Sequence, residues 1–394
     1  MSATSDELRS SDPLAWLLQI SHDLPPPELA GAVSEAMAEM GASASCVYLA
    51  DYDQHALHPF GPHAADRERL DLNGTTAGRA YVLETTLLVD SDDGALIWLP
   101  LIDGTARIGV VVIEMPDPPD DSVVSGLERL ASLAAELFVS KGHYTDAFEV
   151  VRRREPMALQ AELQRSMLPP VALVTPRVAV AGMLLPAYEV AGDSFDYTLN
   201  ADHLNVAVID SVGHDLHSSL ISHVVQGSLR NSRRNGIDLV GAYAEADEAL
   251  IRVFADLRFA TSAFGHLELA TGRFRWVSAG HPPPLLVRGL KVVGEVATVP
   301  AMPLGLGGPP PVVNEVLLEP GDSVLLYTDG VIEGRASGGE RFGVDRLADL
   351  LGRVLLAELP PAEMVRRVAT AVLEHSGHEL NDDTTLLFVR YAER

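Results

Sequence analysis

Four aspartates, Asp193, Asp210, Asp329 and Asp382, each stand where an apolar, strand-like run meets a turn-former. They lie in Ala191-Gly-Asp-Ser-Phe-Asp196, Asp210-Ser-Val-Gly-His-Asp215, Thr328-Asp-Gly330 and Asn381-Asp-Asp-Thr-Thr385. A carboxylate at a strand end is held rigidly, and a tight turn beside it can aim a backbone carbonyl at the same point. Oxygen donors of this kind suit Mg²⁺ or Mn²⁺ rather than a thiolate-preferring metal. A single Asp-Gly is an ordinary turn, and Asp322 after Gly321 is read that way. Four such carboxylates in order are read instead as converging on one sheet edge. The chemistry this permits is attack of a water, activated by two divalent ions, on a phosphate.

The elements that must position them follow from the apolar patterning of residues 170–394. Strands are expected at Val178–Met183, Leu204–Asp210, Ser262–Leu269, Arg273–Ser278, Ser323–Thr328 and Thr385–Arg390. Thr271-Gly272 reads as a hairpin turn between two of them. Helices are expected over His217–Arg234, Leu239–Phe254, Asp345–Leu356 and Pro361–His375. Several strands with paired helices predict a β-sandwich faced by helices, an αββα layering within an α+β chain.

Upstream, Leu14–His22 and Pro27–Met40 read as amphipathic helices, followed by strands at Ser45–Asp53, Leu87–Val89, Leu96–Leu101 and Ile108–Ile113. Asp103-Gly104 marks a hairpin between the last two. From Ser122 to Ser166 the pattern is helical, with Leu127, Leu130, Ala134, Leu137 and Phe138 on one face and Leu159, Leu163 and Met167 continuing beyond Pro156. The stripe fits either packing on its own domain or a homodimer seam. The domain reading is a disordered 1–13, a sensory domain 14–121, a helical connector 122–168 and a catalytic domain 169–394.

Composition narrows the partners. The chain has 394 residues, 47% hydrophobic and 21% charged, which is enough to bury two cores. Its net charge of −26 argues against a nucleic-acid partner, and against a metal-dependent nuclease as the use of these carboxylates. Arg152-Arg153-Arg154 is followed by Glu155 and reads as a solvated helix face. Cys46 is the only cysteine, so it forms no internal disulfide, and its apolar setting suggests a packed thiol. The polar, acidic N-terminus and the lack of a long apolar run lead to the expectation of a cytoplasmic protein with no membrane partner.

Two resemblances add to this. Cys46-Val-Tyr-Leu, Gly78-Arg-Ala, Trp98-Leu-Pro-Leu and Gly109-Val-Val-Val-Ile resemble a GAF domain, which implies a sensory module with an unidentified small-molecule ligand. In the second half, Leu163-Gln-Arg-Ser-Met-Leu-Pro-Pro170, Ile209-Asp-Ser-Val-Gly-His214 and Ser278-Ala-Gly-His-Pro-Pro-Pro-Leu285 join the aspartate motifs. With Pro303-Leu-Gly305, Tyr327-Thr-Asp-Gly-Val-Ile-Glu333 and Phe342-Gly343 they resemble the PPM (protein phosphatase 2C-like) serine/threonine phosphatases of the bacterial SpoIIE/RsbU type.

That resemblance implies two Mn²⁺ or Mg²⁺ ions. Asp193 and Asp210 would bind the first and act through its water, with Asp210 bridging to the second. Asp329 and Asp382 would complete the second site and the Ser211 carbonyl would add a ligand. Asp196 and Asp383 are expected to orient waters or ligands. The implied substrate is phosphoserine on a STAS-type anti-sigma-factor antagonist. Two departures from the family pattern, Ala191 for a glycine and Asp215 after His214, leave a catalytically impaired sensor or scaffold as the alternative. Asp215 could strain a positive-φ turn or add a carboxylate near the metals. His214 and His281 fit either a general acid or a structural role.

Overall fold

The structure, a computed structural model, describes residues 5–91, 94–104, 106–213, 215–254, 256–336, 339–377, 380 and 382–392. It divides into two compact units, Met1–Glu155 and Pro156–Arg394. The division falls inside the segment 122–168 that the sequence reading set apart as a connector.

In the first unit, α1 (Ser5–Ser11), α2 (Pro13–Ile20) and α3 (Leu29–Ala38) precede β1 (Ala44–Ala50), β2 (Ala56–Phe60) and β3 (Leu70–Asp71). Then come α4 (Thr76–Leu83), β4 (Leu87–Ser91), β5 (Gly94–Ile102), β6 (Arg107–Met115), α5 (Asp121–Gly142) and α6 (Ala147–Arg152). The strands form one sheet in the order β3-β2-β1-β6-β5-β4. Because side chains alternate across a strand, Val47, Leu49, Val111 and Ile113 of the central strands face α2, α3 and α5. Cys46, Tyr48, Val110 and Val112 face α4. Burial pushes the Cys46 thiol up from its ordinary pKa, as expected of a packed thiol.

Two expectations change here. The N-terminus expected to be disordered carries α1. Its Arg9 donates to Glu35 at 2.8 Å and Glu39 at 3.1 Å, and Leu8 packs on the core. These long-range partners, not local propensity, hold it. Leu127, Leu130, Ala134 and Phe138 of α5 are buried in the core of this unit, so the first half of the expected connector is a domain helix and its stripe is not a free seam.

The second unit opens with α7 (Leu159–Met167), β7 (Ala172–Val174), β8 (Val178–Leu185), β9 (Asp193–Leu199) and β10 (His203–Ser211). Helices α8 (Leu216–Arg234) and α9 (Leu239–Val253) lead to β11 (Ala260–Glu268) and β12 (Arg273–Ala279). The short strands β13 (Leu285–Arg288), β14 (Lys291–Glu295), β15 (Pro300–Ala301) and β16 (Asn314–Leu317) precede β17 (Ser323–Tyr327). Last come α10 (Asp329–Glu333), α11 (Gly343–Leu355), α12 (Pro361–His375) and β18 (Thr384–Tyr391).

Two sheets result, β15-β12-β11-β10-β9 with β16 on β12, and β14-β13-β17-β18-β8-β7. Val206, Val208, Trp276, Val324, Leu326, Leu387 and Val389 form the core between them. Their strand neighbours point outward: Ile209 and Phe264 pack on α8 and α9, and Leu325 and Phe388 pack on α11 and α12. This is the αββα layering that the patterning predicts. In α7, Ala161 and Gln164 are buried, whereas of the expected stripe Leu159 is exposed and Leu163 and Met167 are only half-buried. Among the described residues no helix is long and apolar enough to cross a membrane.

Candidate active site

Asp193 is the first residue of β9 and Asp210 lies at the end of β10, and the two are direct cross-strand partners. The other sheet delivers its acids to the same place. β17 ends at Tyr327, which pairs with Leu386 of β18, so Thr328-Asp329 and Asp382-Asp383 emerge from one sheet edge. Two hydroxyls join the sheets: Thr328 Oγ1 and Thr385 Oγ1 each donate to Asp193 Oδ2 at 2.7 Å. Asp193 is 2% exposed.

The electrostatics show that the acids share one field. Burial, then the charges of Asp329, Asp382 and Asp383, push Asp210 up to about 7. Burial, then Asp210 and Asp383, push Asp193 well above the carboxylate range. Burial, then Asp382 and Glu333, raise Asp329. A site whose leading charge partners are all negative stabilises a cation. Among the described residues no three His, Cys, Asp or Glu side chains form a ready-made metal shell. A hard ion that keeps several waters needs only one or two carboxylates, and an all-oxygen donor set fits Mg²⁺ or Mn²⁺.

The backbone around these acids is tightly fixed. Asp383 is not free to orient a water with both oxygens. Its Oδ2 accepts the backbone N–H groups of Ala191 at 2.9 Å and Gly192 at 2.7 Å, clamping the loop before Asp193. A Cβ at Gly192 would lie 2.7 Å from the Ser211 carbonyl oxygen, so this glycine permits the approach of the carbonyl implied as a metal ligand. At Gly330 a Cβ would stand 1.9 Å from the Asp383 carbonyl oxygen, which makes the glycine after Asp329 a packing requirement.

The two departures from the family pattern are accommodated. Ala191 is not among the residues with positive φ, and its N–H is used. Asp215 has φ −120° and caps α8: its Oδ1 accepts from His217 N at 2.9 Å and Ser218 N at 3.2 Å, within a capping box. It adds no carboxylate to the group facing Asp210, and Gly213 takes the positive φ of +100°. His214 lies outside the described residues.

Asp196 is elsewhere. Its carboxylate is ion-paired to Arg230 and Arg233 of α8, each at 2.7 Å, so it anchors that helix instead of orienting a ligand. His281 is buried, and Thr261 Oγ1 lies 2.9 Å from its Nδ1 and 3.4 Å from Asp210 Oδ2. Burial pulls its pKa down to about 3, leaving a neutral ring suited to positioning rather than acid catalysis.

Several contributors went unnoticed in the sequence. Ser219 Oγ donates to the Ala191 carbonyl at 2.8 Å, and Ser222 Oγ donates to the Gly192 carbonyl. Gln164 Nε2 of α7 donates to the Asp193 carbonyl at 2.5 Å. Ser218, Ser219 and Ser222 recur at helical spacing on an otherwise apolar face, which is the one local signal that was available.

Residues 200–392 match the sequence profile of the family described as "Stage II sporulation protein E (SpoIIE)", beginning shortly after Asp193. Phosphoserine phosphatase RsbU of Bacillus subtilis (strain 168) is 20% identical over 238 residues, covering 60% of this chain and 70% of that protein. Phosphoserine phosphatase RsbP of the same strain is 24% identical over 250 residues, covering 61% of this chain and 59% of that one. The solved SiaA-PP2C domain of Pseudomonas aeruginosa superposes with a TM-score of 0.50 at 22% identity, covering 59% of this chain and 94% of that domain. With acids converging from two sheets of an αββα sandwich, the C-terminal unit is a PP2C-like protein-serine/threonine phosphatase domain of the SpoIIE family.

Proposed function

We propose that this chain is a cytoplasmic, metal-dependent phosphatase acting on phosphoserine of a STAS-type anti-sigma-factor antagonist, under control of a GAF-like N-terminal unit. The observation that carries the reading is the Asp193–Asp210 cross-strand pair facing Asp329 and Asp382 from the second sheet. The substrate class is supported by relatives named phosphoserine phosphatases. A GAF-like identity is supported by the six-stranded sheet with helices on both faces.

Two Mn²⁺ or Mg²⁺ ions held there would lower the pKa of water and offset charge on the phosphoryl oxygens. The chain's own residues fix the geometry. Thr328 and Thr385 both donate to Asp193 Oδ2 and so fix the carboxylate that would hold a cation. Thr261 Oγ1 lies 3.4 Å from Asp210 Oδ2 and would help to orient Asp210, which would hold a cation together with Asp193. Asp329 and Asp382 approach from α10 and from the turn before β18, and Gly192 admits the Ser211 carbonyl. Regulation has a physical handle in α7, whose Gln164 touches the Asp193 backbone.

The test is Mn²⁺-dependent hydrolysis of p-nitrophenyl phosphate and of a phosphoserine-bearing STAS protein by wild type and Asp210→Ala. Loss of both activities in the variant is expected, and equal rates contradict the reading. Gln164→Leu should change the rate if α7 bears on the site; an unchanged rate removes that route.

A further inference from the structure

The opposite end of the β10–β12 sheet carries a polar row of its own. Asn205 of β10 is the register partner of His266 of β11, which is in turn the partner of Arg275 of β12. Cross-strand partners project to one face. Here it is the helix-facing side, because the next row along the strands, Ala207, Phe264 and Val277, packs on α8 and α9. The polar row lines a cleft of about 340 Å³ beneath the α8–α9 turn, within the range of small-ligand sites. Leu229, Ile237 and Phe264 supply its apolar wall.

Among the described residues, Asn205 Nδ2 and Arg275 Nε are out of solvent and have no hydrogen-bond partner. Buried donors are normally paired. Both atoms are closed off as they stand, so an acceptor in the cleft would meet Arg275 at its outer guanidinium nitrogens, which have no ion pair among the described residues, and Asn205 once its amide turns toward the cleft. The carboxylates of the cleft do not serve them. Asp202 accepts from His203, Asp238 from the Gly241 N–H and Glu268 from Thr271. These three acids also make the rim unfavourable for a polyanion. The walls therefore select a single negative charge carried on an apolar body.

We propose that this cleft binds a small organic monocarboxylate, its carboxylate accepting from Arg275 and Asn205 and its apolar part lying on Phe264 and Ile237. The proposal is independent of the phosphatase reading, since it uses none of the residues at the acidic end.

The probe is 1-naphthoate, titrated into the full chain and followed by its fluorescence and by calorimetry. Saturable one-to-one binding is expected, weakened about tenfold or more by Arg275→Gln and severalfold by Asn205→Leu. Neutral 1-naphthalenemethanol should bind more weakly and be indifferent to Arg275→Gln. Inorganic phosphate should not displace the probe. In wild type, bound 1-naphthoate should slow amide exchange in residues 203–206, 236–239 and 264–275, a readout that needs no variant. Absence of saturable binding, unchanged affinity in both variants, displacement by phosphate, or protection confined to other segments would each overturn the proposal.

Discussion

The two ends of β10 carry opposite problems. At its C-terminal end Asp210 meets Asp193, Asp329 and Asp382, and the neighbourhood has more negative charge than buried groups tolerate. At its N-terminal end Asn205 lies in a row whose donors outnumber their acceptors. The first excess is built by strand termini from two sheets, the second by register across three strands of one sheet. Each end is proposed to take something the chain does not encode. A cation suits one and an anion the other. Asp196 ion-pairs with Arg230 and Arg233 of the helix that runs between the two ends, and there the carboxylate is matched from within the chain.

The largest effect should separate the ends outright. Asp210→Ala is expected to lower Mn²⁺-dependent phosphatase turnover by roughly 10²–10³-fold or more, on the scale of losing a main electrostatic contributor. Arg275→Gln should leave turnover within about twofold, as a surface-cleft change remote from the chemistry. A comparable loss in both variants would erase the distinction. Next come the hydroxyls that aim Asp193. Thr328→Val and Thr385→Val should each cost about 10–100-fold in activity or metal affinity, the usual range for groups that orient a ligand. Measuring turnover against Mn²⁺ concentration shows whether the loss is recovered at high metal. The smallest effect belongs to Asp215→Ala, which should lower stability by about 1 kcal/mol through loss of the α8 cap. Turnover at saturating Mn²⁺ should hardly change; a collapse would return Asp215 to the metal site.

The acids were legible because strand runs and turn-formers are local. Asp193, Asp210, Asp329 and Asp382 each sit beside such a signal, and the helices Leu239–Val253 and Pro361–His375 follow the apolar period. What the sequence hid depends on distant partners. Asp196 looks like a second acid of a metal motif until Arg230 and Arg233, more than thirty residues on, neutralise it. Asp383 differs from Asp382 only in which backbone it meets. Thr328, Thr385 and Gln164 acquire roles through tertiary hydrogen bonds that no periodicity announces. The Asn205–His266–Arg275 row exists only once strand register is known, and α1 holds its place through Glu35 and Glu39.

The pH behaviour of the acidic end follows from linkage. In chelated protein Asp210 titrates near 7 when folded against an ordinary 3.8, so between those values the folded state holds a proton that the unfolded chain has released. Its contribution to stability is therefore fully present below about pH 4 and is lost as pH rises through 7. His281, held neutral, has the reverse slope below its ordinary 6.5 and acts equally in both proteins compared next. Thermal unfolding of wild type and Asp210→Asn at pH 8, with chelator and with saturating Mn²⁺, isolates the carboxylate. The account predicts a crossing. Without metal the asparagine variant melts higher than wild type, whereas Mn²⁺ raises wild type strongly and the variant little. If the variant is no more stable than wild type in chelator, and Mn²⁺ shifts both equally, these aspartates do not form a cation site.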